Sequence, residues 1–96
     1  MNRVSACPKH VSATALAERA KRARQITVLM GCSELAQSLA SEAAILHANG
    51  MTAADAECEL MKPHISNPRM LRAVCLAIRE LKNLGMGKAG VWPWQG

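Results

Sequence analysis

The stretch Gly85 to Gly90, GMGKAG, carries the letters G-x-G-x-x-G of a dinucleotide-binding loop. Such glycines let the backbone close on a pyrophosphate, which meets free amides at the start of the following helix, after a strand. Here the order is reversed. A helical pattern precedes Gly85 and only six residues follow Gly90, so the nearest helix turns the negative end of its dipole toward any anion. The stretch also lacks the spacing and the Gly-Lys-Ser/Thr ending of a P-loop. Gly85 therefore reads as a helix stop, and no cofactor is expected.

Metal and nucleophilic chemistry are as poorly supported. Cys7 and His10 stand at a spacing one metal ion can use, but a structural zinc site needs four ligands and no second close pair exists. Cys32, His47, Cys58, His64 and Cys75 are scattered, and they read as buried thiols and surface imidazoles. No serine has a strained elbow around it, and the three histidines lie far apart. Asp55 and Glu59 share a helical face at i, i+4, yet on a short exposed helix such a pair is ordinary solvated charge. The expectation is a protein without catalytic residues and without a metal.

What remains is charge displayed on shape. Arg69, Arg72, Leu76, Arg79 and Asn83 fall at i, i+3, i+7, i+10 and i+14, one stripe of one helix. Arginine forks grip carboxylates or phosphates, and a leucine among them suits a protein contact better than a purely solvated face. Trp92 and Trp94 are the only aromatic residues; they either clamp a partner or fold back as a lid over a core short of large side chains. These seven residues form the expected contact set for a protein partner with an acidic surface. The alternative is a DNA-binding regulator in which the helix over 68–84 enters the major groove as part of a helix-turn-helix. Two prolines in the preceding turn and the nearby Asp55, Glu57 and Glu59, which phosphates repel, weigh against it.

The elements that must position this stripe follow from caps and periodicity. Ser12 reads as an N-cap before a first helix with its inner stripe at Leu16, Ala20, Ala23, Thr27 and Met30. Gly31 interrupts it, and Ser33-Glu34 starts a second helix to about His47, closed by Asn49-Gly50. A kinked continuous helix and a short strand at Ile26 to Met30 are the alternatives there. Thr52 to Asp55 opens a short third helix over 53–62. Asn67-Pro68 opens a fourth, with Leu71, Val74, Cys75, Ile78 and Leu81 as its apolar face.

Composition agrees. Seventeen alanines, no Phe and no Tyr point to an all-α bundle of about four helices around a thin alanine-rich core, completed by dimerisation. The expected organisation is a loose arm over 1–11, a helical domain over 12–84 and a Gly- and Trp-containing tail over 85–96. With neither a signal peptide nor an apolar span in the sequence, the chain reads as cytoplasmic, with reduced thiols and no membrane contact. Residues 1–24 carry a net +5, residues 25–62 a net −4 and residues 63–96 a net +4. Basic ends and an acidic middle can attract a partner or meet each other across a homodimer. The whole favours a small regulatory protein that inhibits or sequesters a protein partner, such as a transcription factor or a defence or replication complex, by covering its surface.

Overall fold

The computed structural model describes residues 12–84 together with Trp92; the expected arm over 1–11, the glycine stretch, Trp94 and Cys7 with His10 lie outside the described residues. The chain forms α1 (Ala13–Leu29), α2 (Glu34–Ala48), α3 (Ala53–Met61), a 3-10 turn (Lys62–His64) and α4 (Pro68–Asn83). Among the described residues there is no strand, and none of these helices is long and apolar enough to cross a membrane.

Each α-helix begins where a side chain can take up an exposed amide. Ser12 Oγ accepts from the Ala15 amide and Ser33 Oγ from that of Ala36. Thr52 Oγ1 accepts from Asp55, and Asn67 Oδ1 from Met70 with Pro68 in the first turn. Gly31 and Gly50 have φ of +76° and +94°, the left-handed region that a Cβ disfavours, so the chain reverses after α1 and again after α2. Residues 26–30 are therefore helix to Leu29 and turn beyond it, and α1 and α2 are separate helices.

α1 and α2 pair as a hairpin, and α2 packs also on α3 and α4. Alanine on both hairpin helices permits a close approach: Ala23, Ala36 and Ala40 are fully buried, and Ser41 Oγ donates across the pair to the Ala20 carbonyl at 3.3 Å. Thr27, the one buried polar side chain described, donates its hydroxyl to the Arg24 carbonyl at 2.7 Å. Leu39, Leu60, Val74, Ile78 and Leu81 complete the core with Trp92, the largest fully buried side chain.

Two inner-face assignments are corrected. Met30 caps α1 and is 55% exposed, because the stripe's last position falls after the helix has ended. Cys75 is exposed at the edge of the apolar face of α4, where its thiol lies 3.5 Å from Met61 Sδ on α3.

Candidate interaction surface on helix α4

The inner face of α4 is fixed by Val74, Ala77, Ile78 and Leu81, all buried. At 100° per residue those four centre on one side of the helix, which turns Arg69, Arg72, Leu76, Arg79 and Asn83 to the opposite side. All five are exposed, with Leu76 at 58%. Among the described residues none of the three arginines has a carboxylate within ion-pairing distance. The helix therefore presents three unneutralised guanidinium groups around an uncovered leucine. Isolated leucines on a surface are common, so the informative feature is the bracketing by cations.

The nearby acids are engaged in holding α4 in place. Glu80 reaches the turn between α1 and α2, where Oε2 accepts from the Ser33 amide and Oε1 from the Ser33 hydroxyl, each at 3.1 Å. A capping box places a Glu or Gln three residues into the helix to accept the N-cap amide. In α2 that position is Ala36, and Glu80 does the same work from another helix. On the other flank Lys82 Nζ lies 3.3 Å from Glu57 of α3. The stripe is thus carried on a helix tied laterally on both sides. A shallow recess of about 420 Å³, lined by Glu57, Cys75, Ile78, Arg79, Lys82 and Asn83, separates it from α3.

Trp92 is not on this surface. It is fully buried, with its ring edge-on to His47 at a centroid separation of 5.5 Å and an interplanar angle of 69°. Its expected role as an anchor for a partner gives way to the lid role: alanine helices leave volume that an indole fills, and burial removes a large apolar area from water. Burial also pushes the His47 imidazole below its ordinary pKa. Burial, then the charge of Glu80 and a hydrogen bond to it, raise the Cys32 thiol.

The other residues singled out for chemistry do not converge. Among the described residues no three His, Cys, Asp or Glu side chains come within reach of one metal ion. Cys58 and Cys75 are exposed while Cys32 is buried. Glu59 faces Lys62 at 2.8 Å and Glu57 faces Lys82, so the carboxylates of α3 are partly neutralised, with Asp55 left exposed. Sequence reasoning missed Glu80 and Lys82 as the residues that anchor the stripe. Both adjoin buried Leu81, Glu80 before it and Lys82 after it, which shows that they occupy opposite flanks, but nothing local names Ser33 or Glu57 as their partners.

The chain matches no protein-family model, no curated protein and no solved structure.

Proposed function

We propose that this chain is a small non-enzymatic regulatory protein that binds a protein partner with an acidic surface and occludes it. The contact set is Arg69, Arg72, Leu76, Arg79 and Asn83. The observation that supports this reading is the bracketing of exposed Leu76 by arginines that pair with no carboxylate among the described residues. An arginine fork meets a carboxylate with two parallel hydrogen bonds, and arginine is enriched at the centres of protein interfaces. Leu76 supplies the dry centre that a purely electrostatic contact lacks. Because α4 is already held by Ser33 and Glu57, little backbone ordering remains to oppose binding, and the cost left is that of ordering the arginine side chains.

The α3, turn and α4 arrangement keeps DNA as the second reading, since the arginines of α4 point away from the core as those of a recognition helix do. Exposed Asp55 on α3 opposes phosphate approach. One experiment separates the two. Affinity capture from native-host extract compares the wild type with Arg72→Glu/Arg79→Glu, and generic duplex DNA is titrated at two salt concentrations. The protein reading expects a partner recovered by the wild type and lost with the variant, and weak DNA binding. The same partners from both proteins, or duplex affinity that collapses steeply with salt and depends on Arg72 and Arg79, overturns it.

A further inference from the structure

Among the described residues the basic side chains of α1 have no ion-pair partner. Arg19, Lys21, Arg22 and Arg24 are all exposed. Lys21, Arg24 and Val28 fall at i, i+3 and i+7, which places them on one strip of the helix, and Val28 is 52% exposed.

A complementary feature stands on the other side of α2. Between α2 and α3 lies an open notch of about 260 Å³, with Ile45, Leu46 and Leu60 as its apolar lining and Glu42 and Glu59 as its acidic walls. Two carboxylates at the rim of one apolar hollow both attract a cation placed between them. Glu42 has no ion-pair partner among the described residues. Glu59 is paired with Lys62, but both side chains are substantially exposed, and a contact of that kind is readily exchanged. The occupant that fits has a long apolar stem ending in a positive charge, with a small apolar group beside it. Lysine and arginine stems lie along apolar surface while their charged ends reach carboxylates at the rim.

We propose that this notch binds a second copy of the chain, receiving the strip Lys21, Arg24 and Val28 of the partner's α1. Every chain carries both halves of the contact; its closed form is a two-fold pair in which the notch of each copy takes the strip of the other, and a mass that grows beyond two chains at low salt, an open head-to-tail array, overturns the pair. The pairing also places the basic first helix against the acidic middle of the sequence and adds apolar burial to a core built largely of alanine. It uses a face separate from the α4 stripe, so neither reading depends on the other.

The test is the mass of the full chain in solution by sedimentation equilibrium, from about 0.1 M to about 1 M salt, across which the screening length shrinks from about 10 Å to about 3 Å. The expected mass at low salt is twice 10.3 kDa, with dissociation favoured at high salt. Lys21→Glu/Arg24→Glu and Glu42→Lys/Glu59→Lys each weaken self-association by about tenfold or more with helicity unchanged. Mixed together, the two variants pair again, because the untouched strip meets the untouched notch and the two reversed surfaces attract. Arg72→Glu/Arg79→Glu leaves the pair intact. A single-chain mass at low salt overturns the proposal, as does association indifferent to both reversals. Reversed variants that each stay single and fail to pair when mixed overturn it as well.

Discussion

In a core whose fully buried side chains are mostly alanine, Trp92 supplies volume that no neighbour can replace. Trp92→Ala is expected to destabilise the fold by about 3 to 5 kcal/mol, measured as a lowered urea midpoint, because the surrounding helices relax only partly into the space. A change under about 1 kcal/mol would mean that the indole is not a core element. His47 against that ring makes stability depend on pH. Its folded pKa lies below the ordinary 6.5, so on acidification the unfolded chain takes up a proton first. The stability this represents is complete above that value, declines as pH falls through it, and levels once the folded imidazole is itself protonated. Urea midpoints between about pH 8 and about pH 5 test the sign, and His47→Gln should remove its part of the slope. The thiols differ in the same residue-by-residue way. In a Cys7→Ser background, a disulfide reagent should modify exposed Cys58 and Cys75 quickly and Cys32 slowly, since burial and Glu80 both disfavour the Cys32 thiolate. Three thiols reacting at one rate contradict this.

At the scale of elements, each helix start was legible because capping is local. Ser12, Ser33, Thr52 and Asn67 need only an amide three residues on, and all four accept it. Gly31 and Gly50 were legible for a similar reason, since a positive φ is a property of one residue and its neighbours. What the sequence hid is the tertiary half of the α2 cap: Glu80 is 47 residues from Ser33, and no spacing rule reaches that far. The outward direction of the α4 arginines was readable from its amphipathic pattern, whereas the burial of Trp92 needed the packed helices before a place for the indole existed. Cys75 borders the apolar arc of α4, and whether a border residue is covered depends on the neighbouring helix, which here leaves it exposed. The shared cap gives an element-scale prediction. Ser33→Ala and Glu80→Ala should each destabilise by about 1 to 2 kcal/mol in urea titrations, and together by less than the sum, because both remove the hydrogen bond from the Ser33 hydroxyl to Glu80. Strict additivity would show that the bond between the Ser33 hydroxyl and Glu80 contributes nothing.

For the molecule as a whole, the helices are unequally secured. α2 buries five side chains and touches α1, α3 and α4, whereas α1 buries only Ala23 and Thr27 and packs essentially on α2 alone. Small side chains remove little apolar area per residue, so α1 has the least to lose on opening. A helix held on one side by alanine contacts should open in a sub-global step below the free energy of complete unfolding. Native-state hydrogen exchange checks this residue by residue. The amides of α1 should exchange ahead of those of Val74 to Leu81, with the turn at Ser33 intermediate because Glu80 ties it to α4. If a second chain lays its acidic notch on Lys21, Arg24 and Val28, protection in α1 should rise with protein concentration at low salt and lose that dependence in Lys21→Glu/Arg24→Glu. Exchange in α1 as slow as in α4, at concentrations where the chain is single, would show that the hairpin and the three-helix core open together, and that the long alanine-lined contact between α1 and α2 suffices to make this small bundle one cooperative unit.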